Sequence, residues 1–248
     1  MPTAYETGHA KNVANFEAMI TTVTTYGTTY NPSIAAIKVA ALQVQLSAIK
    51  QAADKVNTAL ANYGNAVAIR DLGYEPLRKL SSRILSALKA TDAPQQVIDN
   101  AITNHRKLTG TRVTAKLCQE EVAALRTVGK EVKQVSASQQ SFDSILDTFD
   151  KQVKLLSSIP QYEPNETDLK VVTLENLFTA LQTKNTTVWT AKTALDTARM
   201  ARNKIMYAPE TGIIDITKDV KNYVKSLFGL SSSQYKHLSA LTFTQFKE

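Results

Sequence analysis

The strongest pattern in this chain is an apolar position every three or four residues, kept in phase over long stretches. From Ala35 it continues through Val39, Leu42, Leu46, Ile49, Ala53, Val56, Leu60, Tyr63 and Val67, with Lys38, Gln43, Gln45, Lys50, Gln51, Asp54 and Lys55 in between. A 3.5-residue period of this kind gives a helix one dry seam and one wet face. It predicts a helix over about 33–70, opened by Pro32, since a proline in the first turn lacks only an N–H that would have gone unpaired. A second seam runs through Val171, Leu174, Phe178, Leu181, Val188 and Leu195 and predicts a helix over about 165–204. Asn185 and Lys192 interrupt it. Either a polar residue fixes the register there, or, as preferred on sequence grounds, the buried face drifts toward Trp189 and Ala191.

A third run joins Val122, Leu125, Val128, Val132 and Val135 to Phe142, Leu146, Phe149, Val153 and Leu156, with Gln139 in the gap. It reads as one continuous helix that Pro160 ends. Shorter helices are expected over about 12–26, 75–90, 93–108, 214–228 and 231–241. Thr91-Asp92-Ala93-Pro94 and Gly229-Leu230-Ser231 supply turns. Residues 212–216 would also suit a short strand, but no partner strand is evident.

The pattern repeats. Val13, Phe16, Ile20 and Val23 match Gln139, Phe142, Leu146 and Phe149, and Tyr30-Asn31-Pro32 matches Tyr162-Glu163-Pro164. Ile37-Lys38-Val39 matches Leu169-Lys170-Val171, and Arg70 matches Arg202. The turn Tyr74-Glu75-Pro76 matches Tyr207-Ala208-Pro209, and Arg106-Lys107-Leu108-Thr109 matches Lys236-His237-Leu238-Ser239. The blocks keep their order, which is what a duplicated unit leaves behind. The expected fold is all-α: an elongated helical bundle of two tandem copies of a unit with two long antiparallel helices and two short ones. The expected division is a first unit over 1–115, a helical connector over 116–140 continuous with the next helix, and a second unit over 141–248.

Composition narrows the functional classes. The chain has 248 residues, with 8 Gly and 7 Pro, so helix breakers are scarce and a phosphate-cradling glycine loop is not expected. One cysteine, Cys118, excludes an intrachain disulfide, and its apolar neighbours Val113, Leu117 and Val122 suggest an inert, half-buried thiol. No basic-then-apolar leader and no apolar run of about 20 residues is evident, so a cytoplasmic location is expected. The net charge of +7 permits contact with nucleic acid or an anionic surface without requiring it.

No zinc spacing, P-loop or nucleophile elbow is found. Glu6-Thr7-Gly8-His9 is the one Glu-x-x-His spacing, and it stands alone. His105 and His237 sit beside basic residues near helix ends and read as solvated or capping groups. Glu120 and Glu121 are adjacent and so point to different helix faces. No catalytic residue, cofactor or metal is therefore expected.

Two features could bind something. One is the paired turn with Arg70 and Tyr74 in one copy and Arg202 and Tyr207 in the other, a candidate pair of anion pockets. The simpler reading is that each arginine complements a helix C-terminus while the tyrosine packs on the turn. The other is a set of basic short helices carrying Arg78 and Arg83, and Lys218, Lys221 and Lys225, where phosphate backbones or anionic lipid could dock. The simpler reading there is a solvated face.

The segments Tyr223-Val224-Lys225-Ser226-Leu227-Phe228-Gly229, Ser233-Gln234-Tyr235 and Leu241-Thr242-Phe243, with Leu77-Arg78-Lys79-Leu80-Ser81-Ser82-Arg83-Ile84-Leu85, resemble parts of a group of uncharacterised bacterial helical proteins. The resemblance implies an all-helical fold and no activity. The leading functional expectation is a non-enzymatic structural or protein-interaction scaffold with a protein partner or self-association. The alternatives are a binder of nucleic acid or anionic surfaces and, last, a membrane-acting bundle like the helical pore-forming toxins.

Overall fold

The computed structural model describes residues 8–111 and 140–245, together with Glu120, Ala124 and Thr127. Cys118, Glu6 and the apolar run from Val122 to Val135 lie outside the described residues. Among the described residues the secondary structure is helical throughout, with no strand. The helices are α1 (His9–Thr24), α2 (Val39–Tyr74), α3 (Leu77–Lys89), α4 (Gln95–Thr109), α5 (Phe142–Ser157), α6 (Val171–Tyr207), α7 (Ile213–Phe228) and α8 (Ser233–Ser239). Residues 213–216, weighed above as a strand, are the first turn of α7. No helix among the described residues is long and apolar enough to cross a membrane.

Both long helices start later than their seams suggest. Ile34 and Lys38 are extended and flank a 3-10 turn, Ala35–Ile37, so α2 opens at Val39. Glu166 and Lys170 do the same around Thr167–Leu169 ahead of α6. In both places a buried tyrosine holds the approach. The Tyr30 hydroxyl donates to the Ile37 carbonyl at 2.8 Å, and the Tyr162 hydroxyl donates to the Leu169 carbonyl at 3.0 Å. A helical path through these residues would leave those carbonyls to the main chain, and the phenol instead fixes them in the tight turn.

Helix α5 does not continue a longer one. Ser141 is extended and its side chain accepts from the Ser144 N–H at 3.2 Å, an N-cap that starts a new helix. The expected unbroken connector into residue 142 is therefore corrected: an extended, capping residue cannot lie inside a helix. At the end of α4, Gly110 takes φ 72°, which lets the Thr111 N–H return to the Arg106 carbonyl at 2.9 Å.

The chain forms two compact units, neither continuous in sequence: Met1–Tyr63 with Ala191–Glu248, and Gly64–Thr190. These cut across the expected boundaries, because α2 and α6 each contribute their first part to one unit and their last part to the other. The core of unit 1 joins Phe16, Met19, Ile20 and Val23 of α1 to Leu42, Ile49 and Ala52 of α2, Met206 of α6, and Val220 and Val224 of α7. The core of unit 2 joins Phe149, Val153 and Leu156 of α5 to Leu174 and Leu181 of α6, Ile84 and Leu88 of α3, and Leu108 of α4. In the long helices the deepest positions recur every seven residues: Leu42, Ile49 and Val56 in α2, and Leu174, Leu181, Val188 and Leu195 in α6. The expected drift toward Trp189 does not occur. Trp189 is 64% exposed and Asn185 is 6% exposed, so the asparagine stays on the seam.

One alignment of the sequence blocks also changes. Helices α1 and α5 each have 16 residues, and His9 and Phe142, their first residues, are 133 apart. Buried Phe16, Ile20 and Val23 then correspond to buried Phe149, Val153 and Leu156. The expected pairing of Phe16 with Phe142 instead joins a buried residue of α1 to a half-buried one at the start of α5. Positions seven residues apart share a helix face, so periodicity does not distinguish the two pairings.

Candidate functional site

The two arginine turns end the long helices, and they differ in what the arginine meets. In unit 2 the Arg70 guanidinium carbon lies 3.8 Å from the centre of the Phe142 ring, at the first residue of α5. Tyr74 presents its edge to the same ring at 4.9 Å. Arg70 also reaches Asp71 at 3.5 Å. The Asn185 amide donates to Asp143 at 3.2 Å. Burial pushes the Tyr74 phenol up to about 12, opposed by neighbouring Asn185 and Arg70 and assisted by Asp143. This is a filled site: cation, two rings and an amide pack on one another.

In unit 1 the corresponding arginine, Arg202, donates through Nε and Nη2 to the Asn203 side-chain oxygen at 3.1 and 2.8 Å. Tyr207 lies 2.8 Å from His9 Nδ1 and accepts from the Asn12 amide at 3.4 Å. Burial, and then the positive charge of Arg202, hold His9 below its ordinary value of 6.5. Burial lowers Arg202 as well, with Arg199 adding to the effect and Tyr207 opposing it. Beside this turn α1, α2 and α6 enclose a cleft of about 460 Å3, with Arg202 and His9 on its wall and Val13, Ala53, Val56 and Met206 among its apolar lining.

The basic short helices are bonded internally to a large extent. Arg78 donates to Gln140 at 3.3 Å, and Gln140 in turn donates to the Lys107 carbonyl at 2.7 Å. Arg83 pairs with Asp168 through both carboxylate oxygens, which raises the arginine and lowers the aspartate from their ordinary values. Lys218 pairs with Asp215 at 2.7 Å. Lys221 donates to the Leu241 carbonyl at 2.5 Å and lies 5.4 Å from the Phe243 ring centre, and its burial lowers its pKa. Lys225 is exposed. The spacing that puts Lys218, Lys221 and Lys225 on one face is real, but Lys221 is taken up in holding the C-terminal segment.

Sequence reasoning missed two residues of that segment's clamp and one hydrogen-bonded pair. Asn12, 1% exposed, donates to the Thr244 carbonyl at 2.7 Å and accepts from the Thr244 N–H at 3.0 Å. Asn15 donates to the Thr242 carbonyl at 2.6 Å. A polar residue at a seam position of α1 was the available signal. His105 is no solvated cap: it bonds buried Ser81 at 2.8 Å, and burial, then Lys89, lower its pKa.

A second cleft, of about 560 Å3, lies in unit 2 beside the Tyr162 turn, with Arg83, Ser86, Ala87 and Glu166 among its lining. Among the described residues no group of His, Cys, Asp and Glu side chains is arranged to hold a metal ion. Comparison with family models, with curated proteins and with solved structures found no match.

Proposed function

We propose that the chain is a non-enzymatic protein-interaction scaffold built on a duplicated helical unit. The observation that carries this reading is the set of large apolar side chains left exposed on the two long helices: Ile69 at 54% and Leu72 at 67% on α2, Trp189 at 64% and Met200 at 60% on α6. Ile69 and Leu72 are one turn apart and share a face, the spacing by which helices engage protein partners. Support for duplication comes from paired elements of equal build: α1 with α5, the Tyr30 turn with the Tyr162 turn, and α2 with α6, of 36 and 37 residues. The internal bonding of Arg78, Arg83, Lys218 and Lys221 weighs against a nucleic-acid or anionic-surface reading, since a cation already satisfied by the fold releases fewer counterions on binding.

The test is a pull-down from native lysate with and without nuclease, joined to sedimentation of the pure chain over a range of concentrations. The scaffold reading expects self-association or a protein partner that survives nuclease, and loss of either in Leu72→Asp. A chain that stays monomeric and retains nothing after nuclease treatment refutes it.

A further inference from the structure

The two arginine turns are built alike, but one is filled and the other open, and the difference lies in a few side chains. In unit 2, Phe142 covers Arg70 at 3.8 Å and Asn185 fills the seam beside Tyr74. Counting from the matched helix starts, His9 stands in unit 1 where Phe142 stands in unit 2. Ala53 likewise stands where Asn185 does. A smaller, polar ring and a methyl group in those places leave the cleft of about 460 Å3 beside Arg202.

We propose that this cleft binds a small amphipathic monocarboxylate, with the carboxylate on Arg202 and the hydrocarbon over Val13, Ala53, Val56 and Met206. Arg202 is half-buried, and its hydrogen-bond acceptor is the neutral Asn203 side chain. No carboxylate among the described residues pairs with it, whereas neighbouring Arg199 pairs with Asp196 at 3.6 Å. A guanidinium held beside an apolar lining, with its charge uncompensated, favours an anion that brings its own apolar body. Lys50 offers no second cationic anchor, because Glu17 holds it at 2.6 Å. One available cation with Asp54 and Glu17 further along the same cleft selects against a dianion. From His9 to Glu17 the cleft follows α1 for about 12 Å at 1.5 Å per residue, enough for a medium-length hydrocarbon chain. The proposal is independent of the scaffold reading, since a monomer without protein partners could bind the ligand equally well.

Calorimetric titration of the full chain with sodium octanoate, and with octanol as the neutral analogue, tests it. Octanoate should bind saturably, and octanol about tenfold more weakly, the loss expected for a hydrogen bond to a charged group. Arg202→Gln should weaken octanoate by about the same factor. Ala53→Leu, which fills the cleft and leaves the arginine, should weaken octanoate and octanol together. Arg70→Gln should leave binding unchanged. Absence of saturable binding overturns the proposal, as does equal binding of octanol and octanoate, or octanoate binding indifferent to Ala53→Leu. Should Arg202→Gln fail to fold, the octanol comparison and Ala53→Leu decide.

Discussion

Replacing Tyr162 by phenylalanine removes one oxygen atom and keeps the ring. Tyr162 is 4% exposed, and its hydroxyl donates at 3.0 Å to the Leu169 carbonyl, at the end of the 3-10 turn that leads into α6. A typical hydrogen bond contributes about 1 kcal/mol net, and leaving a buried carbonyl without its donor costs about 1–3 kcal/mol. Both partners are buried, and with the ring kept in place the expected loss is about 1–2 kcal/mol. In a chain of this size that lowers the melting temperature by about 2–8 °C. Tyr30→Phe should cost a similar amount, because its hydroxyl makes the same bond to Ile37 at 2.8 Å with 6% exposure. The two turns lie in different compact units and share no partner, so the double variant should lose the sum. Urea titration followed by circular dichroism, with calorimetry to see whether the units melt together, measures all three. A change of less than about 0.3 kcal/mol in either single variant, within the usual scatter for additive surface changes, refutes the view that these phenols fix the helix starts. Burial of the phenol also sets a pH dependence. Burial, helped by Glu166 and Asp168, pushes the Tyr162 phenol from 10.0 up to about 12. The folded state therefore holds the phenolic proton more tightly than the unfolded one. That stability is fully present below pH 10 and disappears as pH rises toward about 12, a window in which Tyr162→Phe should be less sensitive than the parent.

Other substitutions probe different parts of the fold. A Cβ on Gly212 would sit 2.7 Å from the Ala208 carbonyl oxygen and 2.9 Å from that of Met206, so Gly212→Ala should destabilise unit 1. Gly64→Ala meets nothing within 4 Å inside α2 and should stabilise by about 1 kcal/mol, both read by urea titration. Asn12→Ala removes both bonds to Thr244, so the Thr244 amide should exchange with deuterium faster while amides in the α5 core keep their protection. His9 and His105 should titrate below 6.5 by NMR. Their folded values are depressed, so the associated stability is present above pH 6.5 and is lost as pH falls through the lower folded values, and histidine titrations at or above 6.5 would contradict this.

Helix content, the heptad seams and the two tyrosine-proline turns were legible in the amino-acid sequence. These are local properties: an apolar residue every 3.5 positions has one helical solution, and a proline interrupts a helix interior wherever it stands. The paired arginine turns were legible as a motif too, but their environments were not. Arg70 on Phe142 and Arg202 on Asn203 follow from which helix start reaches each turn, and that contact spans 72 residues of chain in one case and is local in the other. Asn185 looked like a defect in an apolar seam, whereas it bonds Asp143, and Asn12, which clamps Thr244, was not singled out by the sequence pattern. Which residue of α1 stands opposite which of α5 was not legible either, since a period fixes a face and not a position along it. The sequence by itself determined that the chain would be helical and where its dry faces would lie. Tertiary structure alone decided that each compact unit takes parts of both halves, because helices of 36 and 37 residues outrun the short helices that cover them and must finish against partners from the other half.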